Sequence, residues 1–85
     1  MRKPEEKYQF HKTKTAERIT VKEIGDRIKN ARARRKLTQF DLEKRTGILR
    51  ANIPRIESGK HYPALETLEK LAKALEVPVY TFLAK

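Results

Sequence analysis

Gln39-Phe-Asp-Leu-Glu-Lys-Arg-Thr-Gly-Ile-Leu-Arg-Ala-Asn-Ile-Pro-Arg-Ile-Glu-Ser58 is the stretch whose reading decides the fold. Thr38, immediately before it, has the character of a helix N-cap, with Asp41 three residues on and Leu42 as an inward anchor. Gly47 follows Thr46 as a helix-ending residue able to adopt positive φ. Together these predict a short helix over roughly residues 39–46. Ile48, Ile53 and Ile56 then mark another short helix, stopped by Ser58-Gly59. Leu42, Ile48, Ile53 and Ile56 are placed to lock the two helices at a steep angle.

Upstream, Thr20 and Glu23 have the T-x-x-E spacing of a capping box. Val21, Ile24, Ile28 and Ala31 follow at helical spacing, one face of an amphipathic helix. Arg32, Arg34, Arg35 and Lys36 crowd its last turns, where positive charge complements the helix dipole. That basic run therefore has an ordinary structural reading. Downstream, His61-Tyr62-Pro63 is a loop. Leu65, Leu68, Leu71, Ala72 and Leu75 form the clearest helical stripe of the chain, over residues 64–76. Pro78 suits the first turn of a short final helix carrying Val79, Phe82 and Leu83. No strand-type alternation of any length appears. The expected fold is all-α, with five helices in a domain over residues 20–85. Residues 1–19 read as a flexible basic arm, in which Tyr8 and Phe10 stand isolated among Lys3, Lys7, Lys12 and Lys14.

Composition narrows the function. The chain has 85 residues, 21 Lys and Arg against 11 Asp and Glu, and a formal charge of +10. The excess is uneven: +3 over residues 1–20, +7 over 21–62, and zero over 63–85. The middle of the chain is thus suited to face a polyanion and its end to packing, although a solvated basic surface gives the same count. No run of apolar residues is long enough to span a membrane, and the N-terminus lacks the apolar core of a secretory signal. The absence of cysteine excludes disulfides and thiolate metal sites. His61 is a loop residue and His11 lies in the arm, with no spacing that makes a metal site. No nucleophile–base constellation or glycine-rich phosphate loop is present, so no enzyme and no cofactor are expected. The expected location is cytoplasmic, at the nucleoid.

Two short helices meeting at a glycine have helix-turn-helix geometry, whose second helix can enter a major groove. The sequence resembles the Cro/cI-type (XRE) helix-turn-helix family of bacterial and phage repressors. The resemblance rests on L-T-Q-x-x-L-x-x-x-T-G-I in residues 37–48, I-x-R-I-E-S-G-K in 53–60 and P-A-L-E-T-L-x-K-L-A-K-A-L in 63–75, and spans residues 21–83. It implies a transcriptional regulator of the repressor type that binds double-stranded DNA as a homodimer. Gln39, with Thr38 beside it, would hydrogen-bond a phosphate. Leu49, Arg50, Ala51, Asn52 and Arg55 would face the groove, the two arginines bridging guanine O6 and N7 and Asn52 reading adenine or a phosphate. Ser58, Lys60 and His61 would touch the DNA backbone. Arg32 and Glu57 match an internal ion pair. Val77, Val79, Tyr80, Phe82 and Leu83 are the candidate pairing surface, with closure of the monomer core as the alternative for Phe82 and Leu83. Phe40 receives no role.

Two residues depart from the family pattern. Glu43 stands where a small residue, usually alanine, lets the two motif helices approach; it must turn outward or find a cation such as Arg50 or Arg55. Pro54 falls within the recognition segment, where an interior proline costs about 3 kcal/mol, comparable with one good base contact. A helix starting near Asn52 removes most of that cost, because proline then lies in the first turn. A bent or late-starting recognition helix is therefore expected. These departures lend weight to a second reading, a protein-interaction module such as an antitoxin or a multiprotein-bridging-type coactivator, reached through the N-terminal arm.

Overall fold

The computed structural model describes residues 19–84, which form five α-helices and, among the described residues, no strand. They are α1 (Val21–Arg34), α2 (Gln39–Thr46), α3 (Asn52–Glu57), α4 (Leu65–Leu75) and α5 (Tyr80–Leu83). The expected arm lies outside the described residues except for Ile19, which is half-buried and packs against the core.

Local chemistry sets the helix ends. Thr20 Oγ1 accepts from the Glu23 N–H at 3.0 Å while Glu23 Oε1 accepts from the Thr20 N–H at 2.8 Å, a complete capping box at the start of α1. Thr38 and Asp41 repeat the arrangement at α2, at 3.0 and 2.7 Å. The backbone N–H of Thr38, then its hydroxyl, hold the Asp41 carboxyl below its ordinary pKa. Because the folded-state value is the lower one, this cap contributes stability above the ordinary aspartate pKa and loses it as pH falls through the depressed value. Acid titration followed by NMR should therefore show the first turn of α2 fraying over that window, and Asp41→Asn should remove the pH dependence. Gly47 closes α2 at φ 79°, its N–H donating to the Glu43 carbonyl at 2.8 Å.

The C-terminal turns of α1 and α4 use non-glycine residues. Lys36 (φ 58°) and Glu76 (φ 60°) both take the left-handed conformation. After α1, the Lys36 N–H donates to the Ala33 carbonyl and the Leu37 N–H to that of Arg32, the double bond of a Schellman turn.

The recognition segment starts late. Residues 49–51 form a turn, with the Asn52 N–H donating to the Leu49 carbonyl at 2.9 Å and the Ile53 N–H to that of Arg50 at 3.1 Å. The Arg50 carbonyl is the one a proline at 54 cannot reach, and the tighter bond from Ile53 supplies its partner. Pro54 thus occupies the third position of a six-residue helix, within the first turn. The cap differs by one residue from expectation. Ala51 precedes the helix, in right-handed geometry and with no side-chain cap bond, and Asn52 is its first residue.

The core is built by Ile24 and Ile28 of α1, Leu42 of α2, Ile53 of α3, Leu68, Leu71 and Leu75 of α4, and Phe82 of α5, all essentially inaccessible to solvent. Each such side chain contributes about 1.5–3 kcal/mol on burial. α1 runs against α3, α4 and α5, while α2 bridges α3 and α4. Phe82 is fully buried, which removes it from the candidate pairing surface: the short α5 turns its aromatic ring inward to close the base of α1. α1 and α3 approach closely at Gly25, where a side-chain carbon would lie 2.5 Å from the Ile56 carbonyl oxygen and 2.6 Å from that of Glu57.

Candidate nucleic-acid interface

One carboxylate organises the site. Glu57, 5% exposed at the end of α3, accepts from Arg32 Nε at 2.6 Å and from Arg32 Nη2 at 3.0 Å. Arg32 also donates through Nη1 to the Leu37 carbonyl at 2.8 Å. Glu57 Oε1 additionally accepts from Gln39 Nε2 at 3.1 Å. α1, the loop before α2, α2 and α3 are thereby tied to one bidentate pair. The side-chain hydrogen bonding to Glu57 pushes the Arg32 pKa above its ordinary value. No buried side-chain polar atom among the described residues lacks a partner.

Gln39, first residue of α2, is held half-buried by that bond. It shares a shallow groove with Glu43, Leu49, Arg50, Ala51 and Pro54, between α2 and the turn entering α3. The carboxylate of Glu43 accepts from the backbone N–H of Arg50 at 3.2 Å. It therefore pins the turn and does not capture an arginine side chain. The Arg50 guanidinium instead lies 5.1 Å from the centre of the Phe40 ring, whose other near cation is Lys44 Nζ at 5.5 Å. Phe40 is about half exposed, a platform that the sequence left without a role. The signal was present in its i, i+3, i+4 relation to Glu43 and Lys44, but the position of Arg50 depends on the tertiary turn.

Leu49, Arg50, Ala51 and Arg55 are exposed and Asn52 is half-buried. The hydroxyl of Thr38 is engaged in its cap, and that of Ser58 donates to the Arg55 carbonyl at 3.2 Å. Lys60 and His61 are exposed in the following loop. Of the candidate pairing residues, Tyr80 is 65% exposed, whereas Val77, Val79 and Leu83 pack half-buried against the core. No group of three or more His, Cys, Asp or Glu residues among those described is arranged to hold a metal. No helix of the described residues is long and apolar enough to cross a membrane.

Two short helices at a left-handed glycine, the second braced by the Arg32–Glu57 pair and bearing an exposed Arg55, with Arg50 exposed in the turn before it, define a helix-turn-helix module. The profile of the helix-turn-helix domain family matches residues 25–85, and the chain belongs to that family. It is 41% identical over 56 residues to the immunity repressor protein of Bacillus phage phi105, covering 66% of this chain and 39% of the phage protein. It is 39% identical over 59 residues to the HTH-type transcriptional repressor RghR of Bacillus subtilis, covering 68% of this chain and 44% of that protein. The chain thus spans less than half the length of these two relatives. Among solved structures, the restriction-modification controller protein C.AhdI of Aeromonas hydrophila superposes with a TM-score of 0.71 at 25% identity, covering 74% of this chain and 96% of that one.

Proposed function

We propose that the chain is a sequence-reading, double-stranded-DNA-binding transcriptional regulator that acts as a repressor by occupying its operator. The observation that carries this reading is the exposure of Arg50 in the turn entering α3 and of Arg55 on α3, with Gln39 locked at the N-terminus of α2. The repressors among its relatives support it. In this reading Arg50 and Arg55 read guanine edges, Asn52 reads adenine or a phosphate, and Leu49 and Ala51 contact thymine methyls. Thr38, Gln39, Ser58, Lys60 and His61 hold the backbone. Such a protein works in the cytoplasm, on the chromosome.

A homodimer in which Tyr80 meets its counterpart, flanked by Val77, Val79 and Leu83, would present two recognition segments about 34 Å apart on a palindrome. Glu43 and Pro54 gave the interaction-module reading its weight. With Glu43 pinning a turn and Pro54 in a first helical turn, neither needs a protein partner to account for it.

Selection of bound duplexes from a random pool at physiological salt tests the proposal: a palindromic consensus is the expected result, and a pool without consensus would refute it. On the selected duplex, Arg55→Ala should weaken binding by roughly tenfold to a hundredfold and relax the preference at one base pair. Lys60→Ala should weaken all sequences alike and reduce the slope of log K against log salt by about 0.9. Equal loss of specificity from both substitutions would contradict the division of roles.

A further inference from the structure

α2 holds Arg50 at both ends of its side chain. Arg50 stands in the turn ahead of α3, whereas Arg55 lies within that helix. Two bonds fix the Arg50 backbone: its N–H donates to Glu43 Oε2 at 3.2 Å, and its carbonyl accepts from the Ile53 N–H at 3.1 Å. The guanidinium lies 5.1 Å from the centre of the Phe40 ring. Phe40 and Glu43 are three residues apart on α2 and so share a face of it. One helix face therefore meets the root of this arginine with a carboxylate and its tip with an aromatic ring.

Packing does not account for Phe40. It is 47% exposed, the buried residue of α2 is Leu42, and Phe40 is not among the half-buried apolar residues that flank the core. What it does touch is charge. Lys44 Nζ is a second cation, 5.5 Å from the ring centre. Two cations converging on one ring repel each other, and the negative face of the ring offsets that repulsion. Among the described residues the Arg50 guanidinium makes no ion pair and no hydrogen bond, so the ring is its one restraint. Without it, a side chain among the richest in rotamers would be free, and would have to be ordered when it met a base.

We propose that Phe40 is a positioning residue for base reading: its ring orders the Arg50 guanidinium in the free protein, so that Arg50 meets its base pair already placed. This rests on the DNA-reading function proposed above and deepens it. A guanidinium resting on a ring by its face keeps its edge N–H donors for guanine O6 and N7. Ordering the side chain beforehand raises affinity by reducing what must be immobilised on binding. The effect is confined to the base pair that Arg50 reads, which makes Phe40 a determinant of specificity without a base contact of its own.

The test compares Phe40→Leu, which keeps apolar bulk but has no ring, with Phe40→Tyr, which keeps the ring. In the free full chain, NMR of the Arg50 Nε–H group should show a lower order parameter and no ring-current shift in the leucine variant, and parent values in the tyrosine one. On the duplex selected from the random pool, Phe40→Leu should weaken binding by roughly threefold to tenfold. It should relax the preference at the same base pair as Arg50→Ala, while Phe40→Tyr binds as the parent does. A scrambled duplex of equal length should bind all of these Phe40 variants alike, and in an Arg50→Ala background Phe40→Leu should bring no further loss. Three results would overturn the inference and leave the DNA-reading function standing. Arg50 signals unchanged by Phe40→Leu would mean that the ring restrains nothing. A loss that persists in the Arg50→Ala background or on the scrambled duplex would mean that the ring itself touches DNA. Tighter binding by the leucine variant would mean that the ring withholds Arg50 from its base. A pool without consensus, or an Arg50→Ala chain that keeps every base preference, would instead overturn the reading on which the inference rests.

Discussion

Glu57→Ala is expected to cost the domain about 3 kcal/mol, the lower end of the range for breaking a buried ion pair from one side. Arg32 would keep its bond to the Leu37 carbonyl but lose both contacts to the carboxylate, with only 15% of its side chain exposed to water. Gln39 would lose its tether in the same step. For a domain of this size, whose whole stability is roughly 3–10 kcal/mol, such a loss is large. Thermal unfolding should move down by about 12–24 °C or lose its cooperativity. Replacing both partners with apolar residues, Arg32→Met with Glu57→Leu, should recover much of the loss, because no charge is then stranded. A Glu57→Ala protein that unfolds within a few degrees of the parent would show that the pair braces nothing. DNA affinity supplies a second readout. Once freed, Gln39 should contribute less to phosphate binding even at temperatures where the variant stays folded.

Gly25→Ala is the second large effect, and its sign is the informative part. In an unobstructed helix this exchange stabilises by about 1 kcal/mol, through helix propensity and a less flexible unfolded chain. Here the new carbon would meet the carbonyl oxygens of Ile56 and Glu57 at 2.5 and 2.6 Å, both fixed backbone atoms. Nothing flexible can give way, so α1 and α3 must separate. Overpacking of this kind costs about 1–3 kcal/mol, and more where backbone has to move. The net expectation is destabilisation by about 2 kcal/mol, measured by denaturant unfolding. Separation would also stretch the Arg32–Glu57 pair, so Gly25→Ala and Glu57→Ala should combine to less than the sum of their separate losses. An alanine variant more stable than the parent would mean that the two helices are not held at this distance.

The features legible in the sequence are those whose chemistry closes within a few residues. The boxes at Thr20–Glu23 and Thr38–Asp41, the glycine after Thr46 and the stop at Ser58-Gly59 need only local geometry, and each end falls where its signal stands. The delayed start of α3 was legible for the same reason, since a proline declares its missing donor in the sequence. The features that escaped are tertiary. Glu43 was expected to turn outward or find a cation, and it accepts instead from the Arg50 backbone N–H, which only the tertiary turn brings to it. The spacing of Phe40 to Lys44 was a local signal, but nothing in the sequence brought Arg50 over its ring. The apolar residues of the last helix could face the core or a partner, and the turn at Pro78 sent Phe82 inward. The need for a glycine at position 25 is tertiary too, since it comes from the approach of α3.

The brevity of α3 has an evolutionary corollary. An isolated six-residue helix would not persist in water, where about 12–15 residues are needed even for favourable sequences. Its shape is borrowed from Ile53, Ile56 and Glu57, which grip the rest of the domain. Positions 49–52, 55 and 58 take little part in that grip, so they form an exchangeable cassette. In the proposed reading of the site, new operators would be acquired by rewriting those letters alone, while the same segment transplanted without its anchors would arrive shapeless.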